Sequence, residues 1–128
     1  MKVLLYRSVG WTAYTDEPDT LVAAVAASHT VLCARSSSDE QLVGLARTIS
    51  DGRTIVYLQD VLVRPEHRRA GVGGALLDAV LSRYRHVRQL VLLTDDEPGQ
   101  RRFYESRGLV EAHDVRPGAL RSFVRPSV

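Results

Sequence analysis

The sequence predicts a single α/β domain over residues 1–128, with helices packed around one mixed β-sheet. Three observations predict this class. The length of 128 residues suits one domain. The composition, 45% hydrophobic and 25% charged, is typical of a globular chain that buries one core. Finally, the apolar spacing changes from the two-residue period of strands to a helical period after a glycine-rich turn. A strand, a turn and a helix in that order predict a right-handed parallel crossover.

The first half of the chain is predicted to be mainly β-structure. Its patterns predict, in order, a strand over residues 3–9, a helix from residue 16 to about residue 28, and strands over residues 29–35, 42–50 and 54–63. Asp16 and Pro18 suit the first turn of the helix. Asp51 and Gly52 form a hairpin signal between the last two strands. This half therefore supplies most of the sheet.

Strict alternation assigns the residues of the strand over 54–63 to two faces. One face carries Ile55, Tyr57, Gln59, Val61 and Val63, and the other carries Val56, Leu58, Asp60 and Leu62. A polar residue lies in each row. A carboxylate in mid-strand is costly to bury unless it is paired. Asp60 is therefore expected to be either a site residue or the partner of an arginine.

The second half begins with a helix and ends with two short strands. From Gly73 onward, Leu76, Leu77, Val80, Leu81 and Tyr84 form one helical stripe. The apolar run over residues 90–93 predicts a strand buried on both faces. Pro98 and Gly108 suit the start and the end of a further helix. Residues 109–116 and 120–125 are predicted to be strands.

Composition also limits the partners and the compartment. Cys33 is the only cysteine, which excludes an internal disulfide and a cysteine-based metal cluster, and no metal is expected. No apolar run approaches the roughly 20 residues of a membrane span, so the cytoplasm is the expected location and no membrane partner is expected. The basic residues are almost all arginine, but the net charge is only +2 and acids are interspersed, which disfavours nucleic acid as a partner. A homodimer is compatible with the sequence.

The segment around residues 68–74 has the chemistry of an anion site. Gly71, Gly73 and Gly74 lie where a strand leads into a helix, and free N–H groups at a helix start attract anions. Arg68 and Arg69 add positive charge beside them. A Walker A loop and a dinucleotide fingerprint are both excluded, because neither the Gly-Lys-Ser/Thr sequence nor the third glycine is present.

Two blocks resemble the GNAT superfamily of acyl-CoA-dependent N-acetyltransferases. The first is Arg68-Arg69-Ala70-Gly71-Val72-Gly73, which is similar to the family's Arg/Gln-x-x-Gly-x-Gly/Ala signature. The second is the segment over residues 102–109, which resembles the family's Phe/Leu-Tyr-x-x-x-Gly-Phe block. The resemblance covers roughly residues 54–110. It implies the GNAT fold, an α/β fold whose central mixed sheet splays between two parallel strands and is flanked by helices.

The resemblance also implies acetyl-CoA as co-substrate and assigns residues to it. Backbone groups of Val61, Leu62 and Val63 would bind the pantetheine arm as an added strand does. The pyrophosphate would be held by the seven consecutive residues Arg68, Arg69, Ala70, Gly71, Val72, Gly73 and Gly74. The implied reaction is transfer of acetyl to a primary amine by direct attack, without a metal.

Proton transfer is the less certain part of the implied mechanism. Tyr104 matches the tyrosine that similar enzymes use as the acid for the leaving thiolate, and a core tyrosine is its structural alternative. Gln59 stands where similar polyamine-type enzymes have a glutamate, and an amide cannot accept a proton at neutral pH. Either Asp60, a water chain or an already neutral amine is then required. Loss of the glutamate leaves a second reading open, a GNAT-like module that binds acyl-CoA or a partner protein without turnover.

Overall fold

The computed structural model describes residues 2–11 and 15–126, which fall into two compact units that divide after Leu93. The first unit contains, in order, α1 (Lys2–Ser8), α2 (Pro18–Ala26), β1 (Thr30–Arg35), β2 (Leu42–Ser50), β3 (Ile55–Val63), a 3-10 turn (Pro65–His67), α3 (Val72–Arg83) and β4 (Gln89–Val91). The second contains α4 (Pro98–Glu105) and a 3-10 turn (Ala112–Asp114). None of the described helices is long and apolar enough to cross a membrane.

The sheet is four-stranded, in the order β1-β2-β3-β4. β1, β2 and β3 are antiparallel neighbours, and β4 joins β3 in parallel after the crossover through α3. This confirms the predicted mixed α/β sheet. The parallel ladder is short, because it pairs only residues 55–57 of β3 with residues 89–91 of β4. β3 continues six residues further, so the two parallel strands separate beyond Tyr57.

Helices cover both faces of the sheet. Arg47 of β2 bonds to the carbonyl of Ala24 in α2, whereas its neighbour Thr48 bonds to Tyr84 at the end of α3. Consecutive strand residues point to opposite faces. α2 therefore lies on one face and α3 on the other. α1 joins α2, since a single buried cluster contains Leu5, Tyr6, Leu21, Leu42, Leu45 and Leu62.

The strand predicted over residues 3–9 is wrong, because the structure has helix α1 there. Leu5 and Tyr6 are adjacent in sequence, yet both are fully buried in the same cluster. Alternation would send one of them to the opposite face, whereas a helix can bury both. The other predicted elements up to α3 are confirmed with end shifts of one or two residues.

The predictions for residues 90–93 and for the chain end were also partly wrong. β4 is an edge strand, and Val91 and Leu93 are 36% and 48% exposed. The ladder with β3 ends at Val91, which pairs with Tyr57, so Leu93 lies beyond the part of the sheet that β3 accompanies. In the described part of the second unit, residues 109–116 and 120–125 form no strands. Phe123 is 88% exposed there, so burial contributes little to ordering a β-ladder.

Candidate active site

A β-bulge interrupts β3 at the residues that the sequence nominated. Arg47 of β2 is paired with Asp60, but the next β2 residue, Thr48, is paired with Leu58. The register therefore skips Gln59, and two residues of β3 lie opposite one of β2. Bulges of this kind bend a strand and redirect its side chains. Here the bulge lies between the ladder shared with β4 and the diverging end of β3.

The bulge changes which face each β3 residue occupies. Cross-strand partners share a face, so Leu58 lies with Thr48 on the α3 side and Asp60 lies with Arg47 on the α1–α2 side. The strict alternation that placed Leu58 and Asp60 on one face was wrong for this reason. Val56, Leu58, Asp60 and Leu62 are all buried, because helices cover both faces of the sheet.

Asp60 forms a buried ion pair, which is the alternative that the sequence left open. Its Oδ2 accepts hydrogen bonds from the Arg47 Nε at 2.8 Å and from the Tyr6 hydroxyl at 2.7 Å. The two charged side chains are only 5% and 2% exposed. Burial, followed by the adjacent Asp60 charge, raises the pKa of Tyr6 far above its ordinary value, so the phenol stays protonated and donates. The geometry favours a structural role for this carboxylate.

The predicted anion site over residues 68–74, here called the cradle, follows β3 and the 3-10 turn and includes the start of α3. Helix α3 begins after Gly71, which has a left-handed φ of +81° and has no side chain that could cap the helix. The first hydrogen bond of the helix runs from the N–H of Ala75 to the carbonyl of Gly71, which leaves the N–H groups of the first turn without an acceptor inside the helix. A Cβ on Gly71 would meet no atom within 4 Å. Open space over these N–H groups fits an anion.

The charges around this helix start also suit a phosphate group. Arg68, Arg69 and Ala70 are exposed. Arg69 has a φ of +70°, which is uncommon for a residue with a side chain. Val61 and Val63 are half-buried and Leu62 is buried, and this end of β3 is the part that β4 does not accompany. The residues that the sequence assigned to acyl-CoA therefore all lie in the first unit, within residues 61–74.

A groove of about 420 Å³ borders the same loop on the β1 side of α3. Its walls are apolar or small side chains and come from Leu32, Cys33, Ala34, Ala70, Gly71, Val72, Ala75, Leu76 and Ala79. Neither Gln59 nor Tyr57 lines it. The groove is adjacent to the cradle but is not the space between β3 and β4.

Tyr104 lies on α4 in the second unit. Its ring packs edge-on against Phe103, with centroids 5.0 Å apart. Burial, with a smaller contribution from the charge of Asp95, raises the pKa of Tyr104. Its hydroxyl makes no hydrogen bond within the described residues. A protonated phenol with no protein partner in this part of the chain can still donate a proton.

The second unit also holds a surface ion-pair network. Arg101 bonds to Glu105, Glu111 and Asp114 at 2.9–3.0 Å. Glu111, His113 and Asp114 are close enough together to offer ligands to a metal. However, both carboxylates already bind the Arg101 guanidinium, and the network is exposed. We interpret it as a surface feature of the turn after α4.

Sequence reasoning did not find Gly44, Arg47 or Tyr6. A signal existed for the first two. Arg47 lies inside the strand Leu42–Ser50, whose first seven residues are all buried, and a charge at such a position needs a partner. Gly44 is a glycine inside a strand, which often marks a close approach of another element. Tyr6 gave no signal, since it lies 54 residues from Asp60 in a segment interpreted as a strand.

The fold defines the class of protein, an α/β domain in which an opened pair of parallel strands lies beside a glycine-initiated helix. Comparison with known families supports the same class. The profile of the acetyltransferase (GNAT) domain matches residues 9–119, so the chain belongs to the GNAT family. Members of this family transfer an acyl group from acyl-CoA to an acceptor amine.

Solved structures agree with this assignment. A GNAT-family acetyltransferase of Streptococcus pneumoniae is 27% identical, with a TM-score of 0.77 over 97% of this chain and 89% of that one. A GNAT-family protein of Xanthomonas campestris is 34% identical, with a TM-score of 0.63 over 84% of this chain and 72% of that one.

A third relative is a Gibberella zeae protein whose name assigns it provisionally to the acetyltransferases. It is 43% identical over 58 residues, which are 43% of this chain. The match spans only 33% of that relative's length. It therefore supports the family, and the acceptor must be argued separately.

Proposed function

We propose that this protein is an N-acetyltransferase that moves the acetyl group of acetyl-CoA to a primary amine. The observation that carries the proposal is the separation of β3 from β4. Their ladder ends at Tyr57 and Val91, whereas β3 runs on to Val63 and leads through a short turn into α3. The free edge of β3 and the start of α3 therefore follow one another along the chain. This order suits a ligand in which a pantetheine arm is joined to a pyrophosphate.

The residues assigned from the sequence keep their roles in this proposal. Backbone groups of residues 61–63 would bind the arm by strand addition. The N–H groups at the start of α3, with Arg68 and Arg69, would hold the pyrophosphate. When bound, acetyl-CoA supplies an activated thioester and a thiolate leaving group. The match of the family profile to residues 9–119 supports our treatment of residues 1–128 as one functional domain.

Tyr104 is proposed as the proton donor. Its raised pKa keeps the phenol protonated across neutral pH, so it can donate to a leaving thiolate. Gln59 is proposed to orient the amine through its amide, because it cannot remove the proton. Asp60 was the other candidate base, but its carboxylate is buried and already paired with Arg47, which favours a structural role. We therefore favour a water molecule as the acceptor, or an amine that arrives neutral.

Two measurements test this function. Acetyl-CoA at 100 times its dissociation constant should add about 2.7 kcal/mol to the free energy of unfolding, which a thermal shift detects. A panel of primary amines should then release free CoA thiol, with rates that rise with pH as the amine loses its proton. If neither CoA nor acetyl-CoA stabilises the protein, the cradle is assigned wrongly.

A second candidate function is a module that binds acyl-CoA or a partner protein without turnover. The specific observation in its favour is that β3 offers Gln59 as an amide and Asp60 as a paired carboxylate. Stabilisation by acetyl-CoA without thiol release from any amine, over a range of pH, would favour this candidate.

A further inference from the structure

The Arg47–Asp60 ion pair lies at the bulge, where Arg47 of β2 faces both Gln59 and Asp60 of β3. Both side chains are almost completely buried. A buried ion pair contributes little net stability, because desolvation of two charges offsets their attraction. Stability alone therefore does not account for a charged pair in the middle of the sheet. Its best-attested use in proteins is to select one register over another.

The bulge has two nearly equivalent positions. Val61 pairs with Ala46 above it, and Leu58 pairs with Thr48 below it. Between these fixed pairs, Arg47 faces two consecutive residues, and either Gln59 or Asp60 could be its ladder partner. A change from one to the other would leave every apolar partner in place. The hydrophobic pattern therefore cannot choose between them, and only the polar groups can.

We propose that the ion pair selects the register of β3. Arg47 pairs with Asp60 in the ladder and leaves Gln59 as the extra residue of the bulge, which the proposed function assigns to orienting the amine. Arg47 and Asp60 are then positioning residues. The catalytic consequence rests on the proposed function, whereas the choice of register does not. In the alternative register, Gln59 would pair with Arg47, and the Asp60 carboxylate would lose its salt bridge.

The pair is itself held by the helices on that face. Arg47 Nη1 lies 3.2 Å from the Ser28 hydroxyl and 3.5 Å from the Ala24 carbonyl, and both acceptors belong to α2 or its C-terminal turn. Tyr6 of α1 donates to the same Asp60 oxygen as Arg47. These bonds fix the orientation of the guanidinium independently of its contact with Asp60, so the ion pair has a defined direction.

An exchange of the two β3 residues tests the proposal. The double variant Gln59→Asp/Asp60→Gln keeps the composition and moves the carboxylate by one position. We expect the bulge to follow the carboxylate. In NMR spectra, the cross-strand contact of residue 47 should move from residue 60 to residue 59, while the contact between residues 48 and 58 persists. A cross-strand contact between residues 47 and 60 in the exchanged protein would overturn the proposal.

Two control variants test whether the position of the carboxylate, and not substitution in this region as such, sets the register of β3. Gln59→Asn alone changes the side chain at position 59 without adding a carboxylate there, so Arg47 should keep residue 60 and the register should not change. Tyr6→Phe removes one hydrogen bond but no charge, and it should also keep the wild-type register. The exchanged variant should lose roughly tenfold or more in kcat, with the KM for acetyl-CoA changed by about threefold at most. A wild-type rate in a protein whose register has moved would overturn the positioning role.

A further variant covers the case in which the exchanged protein does not fold. Arg47→Gln/Asp60→Asn replaces the charged pair by neutral amides, which can still form a hydrogen bond to each other, and should retain the fold. Without charges to choose, both registers should be populated, which would appear as doubled resonances for residues 58–61. One set of resonances in the wild-type register would contradict the proposal. If the wild-type protein shows no turnover at all, the proposed function fails while the register test still stands.

Discussion

Gly44 of β2 and Val72 of α3 are in such close contact that the glycine has no room for a side chain. A Cβ at position 44 would lie 2.8 Å from the Val72 Cγ1 and 3.3 Å from the carbonyl oxygen of Leu62. Gly44 therefore sets how near the first turn of α3 approaches the sheet. Because the same turn carries the proposed pyrophosphate site, a core contact and a ligand contact are coupled there.

Gly44→Ala should therefore weaken both the fold and CoA binding. Overpacking of a core typically costs about 1–3 kcal/mol. The displaced turn would also move the N–H groups of α3, so CoA affinity by calorimetry should fall. Val72→Ala in the same protein removes the nearest clashing atom. The double variant should recover much of the lost affinity, and strict additivity of the two changes would contradict the coupling.

Two substitutions at Gly71 distinguish the effect of backbone strain on stability from the effect of a side chain on ligand binding. Its φ of +81° is costly for most residues, by roughly 1–3 kcal/mol, but asparagine tolerates it better. Gly71→Asn should keep the melting temperature near the wild-type value and still weaken CoA binding, because a side chain would occupy the space above the helix start. Gly71→Val should lose both stability and binding. Unchanged CoA affinity in the asparagine variant would remove Gly71 from the cradle.

Local signals predicted most of the fold and the proposed cofactor segment. An apolar and β-branched stretch identified β2, and alternation identified β3. The helical stripe identified α3, and the Asp51-Gly52 pair identified the hairpin between β2 and β3. The glycine block and the block around Tyr104 indicated the family, which the domain match confirms. These features are readable because each depends on residues within a few positions of one another.

The features that escaped prediction depend on distant residues. Alternation cannot reveal a bulge, because the extra residue is defined by β2 and not by β3 itself. Tyr6 is buried in a cluster drawn from distant segments and donates a hydrogen bond to Asp60, which is 54 residues away. At the chain end, residues 120–125 have strand-like composition, but exposed Phe123 and Val124 contribute no buried surface. Tertiary packing decides each of these cases.

Asp51 should make the hairpin sensitive to acid. Its carboxylate accepts hydrogen bonds from the N–H groups of Arg53 and Thr54 and from the Thr54 hydroxyl. These bonds, those from Thr54 foremost, hold the pKa of Asp51 well below its ordinary value of 3.8. A lowered native pKa means that the stabilisation is present above the unfolded value and is lost as the pH falls through the native one. Asp51→Ala should lower the melting temperature at pH 7 and flatten its dependence on pH below about 4. A pH profile parallel to wild type would contradict this role.

Tyr84 is expected to stabilise the fold and to take no part in the reaction, in contrast to the proposed proton donor Tyr104. Its buried hydroxyl lies 2.6–2.7 Å from polar side-chain atoms of His29, Thr30 and Thr48. Tyr84→Phe leaves those groups short of a partner, which should cost about 1–3 kcal/mol of stability. We expect a lower melting temperature with kcat per folded molecule close to wild type. A large loss of kcat without loss of stability would show that this network acts in the reaction.

Tyr104→Phe should give the opposite result. Within the described residues the Tyr104 hydroxyl bonds to no protein group, so its removal should leave the packing against Phe103 and the melting temperature nearly unchanged. A positioned general acid is typically worth about 100-fold to 10,000-fold in rate, and a loss in that range is expected with little change in CoA affinity. Because the native pKa is raised, the wild-type rate should show no decline from Tyr104 ionisation until the pH passes its ordinary value of 10.0. The same raised pKa predicts that its contribution to stability is complete below that pH and is lost as the pH rises through the native value. A variant that keeps most of its rate would make Tyr104 a packing residue, and the thiolate would then take its proton from water.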